Sequence, residues 1–386
     1  MLRLQVLSGH LRPGPPGPLA DRARLRSSVC GAAVQDRPED VVIVHGRRTA
    51  IGRAKRGRFK DTTPDELLSS VMKAVLSDVK LNPHKLGDVC VGNVLQPGAG
   101  ALVARVAHFL RVESMSLRSM TNPGDLSSRV TEVDQARACL IPMGITSENV
   151  AEKFGISREK QDAFAVSSHQ KAARAQTLGL FKQEIVPVQT RMVDGSGAEV
   201  EVMVSEDEGV RPGTSMEGLS RLRPAFSPDG STTAGNSSQV SDGAAAVLLG
   251  RRSAVEALGL GVLGVLRGSA VVGVPPDLMG IGPAVAIPAA LERAGLTIDD
   301  IDVFEINEAF ASQAVYCVEK LGIPQHKVNP NGGAIALGHP LGCTGARQVV
   351  TLLHELRRRN KRAFGVVSMC IGTGMGAAAV FEFPGP

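Results

Sequence analysis

A strand–helix–strand pattern occurs twice in this chain, and the two copies lie 215 positions apart. At this offset Leu81 falls on Leu296, Val91 falls on Ile306, and the helix residue Leu76 falls on Leu291. Such βαβ units bury their apolar faces only by packing against further elements. The repeat therefore predicts an α/β protein with two βαβ-based halves, each with a mostly parallel sheet, packed in layers.

The first copy starts with a β-branched run after Asp40 (VVIVHG) and continues with helical spacing over Asp65–Val79. Its second strand is predicted at Leu86–Val94. The second half of the chain contains the second copy and then further elements. These are a helix at Gly280–Gly295, a helix at Ala309–Leu321, a strand at Lys327–Val328, a helix at Ala346–Arg359 and closing strands at 363–369 and 377–383.

The first half offers no counterpart for these further elements. After one helix, predicted at Val103–Leu110, it reads AHFLRVESMSL at 107–117. A helix-like stretch passes here into a strand-like stretch, and no turn, cap, Gly or Pro separates them. We therefore expect the first half to be incomplete at this junction.

A polar, Met- and Ser-rich stretch matches neither copy of the repeat and is interpreted as an inserted lobe. It contains two predicted helices, Ser147–Phe154 and Arg158–Leu178, with Ser157 as a plausible N-cap. A core strand then returns at Ala245–Leu249. The predicted division of the chain is a targeting leader at 1–39, an N-terminal half at 40–112, the inserted lobe at 113–230, a return to the N-terminal half at 231–259 and a C-terminal half at 260–386.

The leader is rich in Arg, Pro and Gly, and it lacks the apolar core of a secretory signal. It opens with Arg3-Leu4, five further residues and then His10-Leu11, the R-L-x5-H-L form of a peroxisomal address. A peroxisomal import receptor is therefore an expected partner, and the peroxisome is the predicted compartment. A mitochondrial presequence is also Arg-rich and poor in acidic residues, so the mitochondrion stays an alternative.

The composition argues against several classes of protein. The chain has no Trp and one Tyr, which argues against an aromatic stacking surface for nucleic acid. No run of 18 apolar residues occurs, and we expect no membrane span. Six cysteines are spread without CxxC pairs, which does not indicate a disulfide framework.

Two short motifs carry residues that could do chemistry. His339 lies in GHPLGCTG, where it could act as acid, base or oxyanion donor, or be a polar loop residue. Cys370 starts CIGTGMG between two apolar strands, and its thiol could meet the N–H groups of a Gly turn or be a buried structural residue. His339 and Cys343 have helical spacing, but Gly342 and the lack of further ligands make a metal site improbable.

A third motif, Asn307-Glu308-Ala309-Phe310, follows a strand of the repeat. Ligands bind at the carboxyl ends of parallel strands, where Asn307 could hold a water or an oxygen and Glu308 could orient its neighbours. The alternative is a helix N-cap Asn followed by a Glu that pairs with the helix dipole.

Taken in order and spacing, the motifs NEAF, GHP and CIGTG, together with STTAGNSSQVSDGAAA, resemble those of the thiolase family. Related condensing enzymes carry His at the place of Cys370, so the Cys favours a thiolase. The resemblance implies a thiolase-like fold and an acetyl-CoA C-acyltransferase of fatty-acid β-oxidation, which releases acetyl-CoA from 3-ketoacyl-CoA. It also implies a homodimer, coenzyme A as a substrate, and no cofactor.

The resemblance also implies roles for single residues. His339 matches the base for a nucleophilic Cys, and with a water held by Asn307 it would stabilise the enolate oxygen. Cys370 matches the group that moves protons, for which an ordinary thiol pKa near ~8.5 is suitable. The Gly372 N–H matches a second oxyanion hole. Met143 and Ser238 match contacts to the pantetheine of CoA.

This chain departs from the family at the nucleophile, which lies in an N-R-Q-C-S-S-G segment ahead of the sequence VESMS. The chain has VESMS at 112–116 without that segment, a loss of roughly 40 residues, about one βαβ unit. Cys90 corresponds to an interior strand position and Cys139 lies in the lobe, so neither replaces it. We expect no thiolase turnover, poor folding and a weakened dimer. The alternative is a non-catalytic CoA-binding or interaction protein.

Overall fold

The computed structural model describes residues 36–95, 112–117, 127, 129 and 132–386. The leader motif and the predicted helix Val103–Leu110 lie outside the described residues. Residues Pro38–Pro386 form one compact unit. Among the helices of the described ranges, none has the length and apolar character that crossing a membrane requires.

The described ranges contain eleven strands and ten α-helices, numbered in chain order. The strands are β1 Val41–Thr49, β2 Gly52–Arg53, β3 Val112–Ser114, β4 Ile185–Val186, β5 Val188–Val193, β6 Glu199–Val204, β7 Ser241–Arg251, β8 Gly264–Gly273, β9 Val303–Ile306, β10 Ala363–Ile371 and β11 Met375–Phe383. The helices are α1 Pro64–Asp78, α2 Asp134–Ala138, α3 Met143–Phe154, α4 Arg158–Thr177, α5 Met216–Ser220, α6 Arg252–Ala257, α7 Gly282–Ala294, α8 Ala311–Leu321, α9 Ala334–Leu337 and α10 Thr344–Arg358.

Nine strands form one continuous sheet with the order β2-β7-β1-β8-β11-β10-β9, to which β3 adds on β7 and β4 on β1. The two halves join at β1 and β8, where Val42 pairs with Val265. The pairing is mixed rather than mostly parallel, since only β1–β4 and β9–β10 run parallel. The reason is that each half ends in a strand that returns antiparallel between its neighbours, as β11 does between β8 and β10.

The predicted repeat is visible in the order of the strands. Outward from the central joint, the second half reads β8, β11, β10, β9, and the first half reads β1, β7, β3. The return strands β7 and β11 both contain Gly-Ala-Ala-Ala-Val, at 243–247 and 376–380. Glu113 pairs with Gly243 as Cys370 pairs with Gly376, so β3 takes the place of β10. However, β3 has three residues and β10 has nine.

The strand predicted at Leu86–Val94 is not formed, and that prediction was wrong. A 3-10 turn at Pro83–Lys85 is followed by irregular chain up to residue 95. In the second half, β9 pairs with Gly365–Ser368, the part of β10 that precedes Met369. The corresponding positions of the first half, 108–111, lie outside the described residues. The segment Leu86–Val94 has a strand-like sequence but does not form a strand.

The strand predicted at Lys327–Val328 was also wrong as an element. Gln325–Lys327 forms a 3-10 turn, and only Val328 bridges to Phe304, in the parallel sense. The other elements predicted for this half are present to within a few residues, as α7, α8, α10, β10 and β11. Local apolar patterns were sufficient for the helices, whereas a short edge strand depends on its partner.

Helices cover the sheet and bury a core of branched and small side chains. Helix α7 packs Ile287 and Leu291 against β8 and β11, and burial of one such side chain contributes roughly 1.5–3 kcal/mol. Helices α3 and α4 of the lobe pack on α8. Ser157 accepts a hydrogen bond from the Lys160 N–H and caps α4, as the sequence predicted.

Candidate active site

Three loops from different parts of the chain meet at the carboxyl end of β9. The His339 N–H donates to the Gln239 carbonyl at 3.0 Å, and the Ser238 N–H donates to the Ala309 carbonyl at 3.0 Å. The segment that contains Ser238 thus lies between the loop with Asn307 and the loop with His339. The fold brings together three sites that the sequence predicted separately.

The imidazole of His339 has a defined orientation. Its Nδ1 lies 2.6 Å from the Thr344 hydroxyl oxygen, and that hydroxyl donates to the Pro340 carbonyl at 3.1 Å. We assign Nδ1 as the donor to Thr344, since the hydroxyl has one proton and this assignment directs it to the Pro340 carbonyl. The Nε2 atom is then unprotonated and faces Asn307 Nδ2 at 3.3 Å. His339 is therefore set up to accept a proton at Nε2.

Burial also keeps His339 neutral. Loss of solvation lowers the pKa of His339 to about 4, and the nearby Arg347 guanidinium lowers it further. Arg347 is buried and pairs with the equally buried Glu305 at 3.4 Å. A neutral imidazole with a free Nε2 agrees with the base role that the resemblance implies for His339. In this tautomer Nε2 does not donate to an oxyanion, so that second role requires the proton to move first.

Asn307 is not a helix cap. Helix α8 begins at Ala311 with Phe310 at the N-cap position, three residues beyond Asn307. Asn307 is completely buried, and its N–H donates to the Ser368 carbonyl at 2.9 Å. Its Oδ1 is buried and has no hydrogen-bond partner among the residues that the structure describes. The geometry favours the functional interpretation, because such an oxygen can accept a hydrogen bond from a bound water.

Cys370 lies near the end of β10, two residues after Ser368, and is half-buried. Burial raises the pKa of the Cys370 thiol to about 11. The ordinary thiol pKa expected from the sequence was wrong for this position. At neutral pH Cys370 therefore holds its proton, and as a weaker acid than a free thiol it gives that proton up only to a strong base such as a carbanion.

The lobe closes over the turn that follows Cys370. A Cβ added to Gly372 would lie 2.9 Å from Met143 Cε, so Met143 packs directly on this glycine. Met143 is nevertheless 47% exposed. The Cys139 thiol lies 3.7 Å from the Thr373 carbonyl oxygen. The predicted residues Met143 and Gly372 are thus neighbours, at the border between the lobe and the C-terminal half.

Three further cysteines of the described ranges differ in exposure. Cys317 and Cys343 are buried, and burial raises the pKa of Cys317 above its ordinary value. Cys90 is exposed, so its predicted interior position was wrong, because the strand around it is not formed. In the described part of the chain no group of three His, Cys, Asp or Glu could hold a metal ion.

Sequence reasoning missed the residues that orient His339. Thr344, Gln239 and Arg347 were not singled out, yet the first two bond to His339 and the third lowers its pKa. Thr344 had a detectable signal, since a Thr at the start of a helix often uses its hydroxyl locally. The other two act across the fold, and nothing in their local sequence indicates this.

Comparison with known families agrees with this fold and site. The model described as "Thiolase, N-terminal domain" matches residues 41–111 and 110–253, and "Thiolase, C-terminal domain" matches residues 260–383. The chain belongs to the thiolase family. The first of these models matches in two parts, and the parts meet at the junction between Leu110 and Arg111.

Within this family the similar proteins are peroxisomal 3-ketoacyl-CoA thiolases. The "3-ketoacyl-CoA thiolase A, peroxisomal" of Rattus norvegicus is 64% identical over 427 aligned positions, covering 100% of this chain and 98% of the relative. This chain has 386 residues, so about 41 of the aligned positions hold no residue of it.

Solved structures agree with this family assignment. The dimeric peroxisomal thiolase of Saccharomyces cerevisiae is 47% identical with a TM-score of 0.83, covering 90% of this chain and 98% of that one. The human mitochondrial 3-ketoacyl-CoA thiolase in complex with CoA is 35% identical with a TM-score of 0.78, covering 90% and 98%. The thiolase-like α/β fold is confirmed, and the compartment of the rat and yeast relatives confirms the predicted peroxisomal localisation.

Proposed function

We propose that this chain is a shortened form of a 3-ketoacyl-CoA thiolase of peroxisomal fatty-acid β-oxidation and that it does not cleave 3-ketoacyl-CoA. CoA and 3-ketoacyl-CoA are its substrates by family, and the homodimer is the family assembly. The observation that carries the proposal is the contact of His339 with Asn307 at 3.3 Å, in a fold where the loop with Ser238 lies beside both.

Each side chain of the site has a proposed task. A substrate carbonyl oxygen would lie near His339 and a water held by the Asn307 Oδ1, and Cys370 would give its proton to the enolate carbon. The Gly372 N–H would donate to a second oxyanion. Met143 and Ser238 would contact the pantetheine arm, since Met143 is exposed at the border of the lobe and Ser238 lies beside the Asn307 loop.

The lack of cleavage is proposed from the junction at 110–112. The N-terminal family model matches in two parts that meet there, and about 41 aligned positions of the rat relative have no counterpart. Without the nucleophilic Cys of the missing segment no acyl-thioester can form on the enzyme, and thiolysis stops before its first covalent step.

The test uses the purified full chain with acetoacetyl-CoA and CoA. We expect no release of acetyl-CoA above the uncatalysed rate and no acyl adduct by intact mass. Binding of CoA in isothermal titration calorimetry without acyl transfer would instead favour the runner-up function. Met143→Glu should weaken this binding, and Met216→Glu, a change at an exposed Met of α5, is the matched control. Turnover at rates normal for the family would refute the proposed loss of cleavage.

The runner-up function is a non-catalytic CoA-binding or interaction protein. The observation that favours it is the retained lobe, whose helices α3 and α4 pack on α8. CoA binding with no acyl transfer, in a chain that accumulates in cells, would support this role.

Import and assembly are proposed in the same way. We propose that Arg3, Leu4, His10 and Leu11 bind the peroxisomal import receptor. A fluorescent protein carrying residues 1–39 should enter peroxisomes, and Arg3→Glu should abolish this entry. Arrival in mitochondria would favour the alternative compartment.

We also expect a dimer weaker than that of the yeast relative, and analytical ultracentrifugation measures the strength of the dimer.

A further inference from the structure

Glu308 is a buried carboxylate that gathers three donors from three parts of the chain. It is 1% exposed and accepts hydrogen bonds from Ser168 Oγ at 2.6 Å, Asn329 Nδ2 at 2.7 Å and the Ile335 N–H at 3.1 Å. Ser168 belongs to the lobe helix α4, Asn329 to the loop after Val328, and Ile335 to the first turn of α9. A carboxylate with this many donors is a strong cross-link, because bonds to a charged acceptor exceed neutral ones in strength.

The two glycines of the loop NPNGG fit this arrangement. A Cβ on Gly333 would lie 2.2 Å from the Glu308 carboxyl carbon, so only glycine leaves room for the carboxylate. Gly332 has φ +81°, and a Cβ there would lie 2.6 Å from Ala172 Cβ on α4. The loop is therefore clamped between α4 on one side and Glu308 on the other.

The clamped loop leads directly to both members of the His339–Asn307 pair. The helix α9 follows Gly333, and the Gly338 N–H donates to the Ala334 carbonyl at 2.9 Å immediately before His339. Asn329 exchanges two hydrogen bonds with the backbone of Ile306, both at 2.9 Å, immediately before Asn307. Glu308 bonds to Asn329 and to the start of α9, so it is linked to both loops.

We propose that Glu308 is a positioning residue that sets the distance between Asn307 and His339 and fixes the tautomer of His339. This inference deepens the proposed function, since it concerns how that site is held in place. Glu308 acts through Asn329 and α9 and does not touch the substrate. Burial raises the pKa of Glu308, and its three donors oppose this rise by favouring the carboxylate.

The variant Glu308→Gln tests this proposal. It keeps the shape of the side chain but points an amide NH2 group toward hydrogen-bond donors. The readout is the ring nitrogen signals of histidine in the ¹⁵N-labelled full chain without ligand. In the unchanged chain, His339 should be neutral with its proton on Nδ1. In Glu308→Gln we expect a mixture of His339 tautomers. We also expect the His339 pKa to rise by about one pH unit, which corresponds to a tenfold change in proton affinity.

His354 is an internal reference for structural damage. It is also buried, its pKa is lowered to about 3 by burial and by Arg357, and its Nε2 contacts the Gly46 carbonyl at 3.4 Å. A positioning role changes the His339 signals and leaves those of His354 in place. The matched control is Glu319→Gln at the surface, which should change neither histidine.

Two results would overturn the inference: unchanged His339 signals in a folded Glu308→Gln variant, or equal changes at His339 and His354. If Glu308→Gln does not fold, the variant Ser168→Ala serves instead, because it removes only the hydrogen-bond donor from the lobe. A smaller shift of the His339 signals alone is then expected. No shift of these signals would also overturn the inference. CoA titration of the same samples reports on the proposed function separately, since the histidine readout requires neither CoA nor turnover.

Discussion

Glu113 pairs with Gly243 at the place in the first half of the sheet where Cys370 pairs with Gly376 in the second. The return strands β7 and β11 thus have equivalent neighbours in the two halves of the sheet. The residues Asn307, His339 and Cys370 of the candidate site all lie in the second half of the chain.

Restoring the missing segment should restore the enzyme. Inserting the roughly 40-residue stretch of the rat relative between Arg111 and Val112 should produce thiolysis of acetoacetyl-CoA. It should also raise the melting temperature, because the added strands and helix bury apolar surface beside β3. The measurements are acetyl-CoA release and a thermal melt followed by circular dichroism.

The control for this insertion is the same segment with its nucleophilic Cys changed to Ser. It should raise the melting temperature as much as the unmodified insert and give no turnover. A chain without the insert that already melts sharply as a soluble dimer would contradict the expected instability.

Replacing Thr344 should impair catalysis in the restored chain through the tautomer of His339. Thr344→Val removes the acceptor for the Nδ1 proton, so the proton is free to move to Nε2 and block the base. We expect a loss of about 10-fold to 100-fold in kcat/KM, the range seen for partners that orient a functional histidine. Thr344→Ser keeps the hydroxyl and should keep the activity, whereas His339→Ala should cost about 10²–10⁴-fold.

The stability of the chain should fall between about pH 8.5 and pH 11. Burial raises the pKa of Cys370 to about 11 and also raises that of Cys317. In the unfolded chain thiols ionise near ~8.5, so above that pH unfolding releases protons and becomes more favourable. The contribution of Cys370 is complete below pH ~8.5. It is lost as the pH rises through the folded value, at a cost on the order of 3 kcal/mol.

Urea unfolding at several alkaline pH values measures this decline. Cys370→Ser with Cys317→Ser should flatten it, because serine does not ionise in this range. Cys90→Ser is the matched control, since Cys90 is exposed. An equal decline in the double variant would show that other groups cause it.

Removing Arg48 should destabilise the attachment of the lobe to the sheet. Arg48 is completely buried and donates to Glu184 at 2.7 Å and to Asp207 at 2.7 and 2.9 Å. Arg48→Met leaves two buried carboxylates without their counter-charge, which costs about 3–5 kcal/mol. The free energy of unfolding in urea checks this value.

The control is Arg191→Met on β5, where the Arg side chain is 66% exposed and lies 3.6 Å from Glu199 and Glu201. An exposed pair of this kind contributes about 1 kcal/mol or less. Equal losses from the two substitutions would show that burial of the Arg48 pairs is not what stabilises the lobe.

Sequence reasoning succeeded where local pattern and motif were sufficient. Helices such as α4, with Ser157 as its cap, need only apolar spacing and a suitable first residue. The prediction of a strand at Leu86–Val94 failed because a strand requires a neighbour to pair with, which a local sequence pattern does not supply. The thiol of Cys370 was assigned an ordinary pKa because burial is not visible in a local sequence.

The sequence by itself determined the two-half architecture, the order of the elements and the thiolase motifs, and it predicts a missing segment between Leu110 and Val112. Only the tertiary structure decided that Thr344 holds the Nδ1 proton of His339, that Asn307 lies outside the helix, and that Glu308 joins three segments. The physical reason is distance along the chain. Periodicity and motifs act between near neighbours, whereas hydrogen bonds, desolvation and strand pairing join residues that only the completed fold brings into contact.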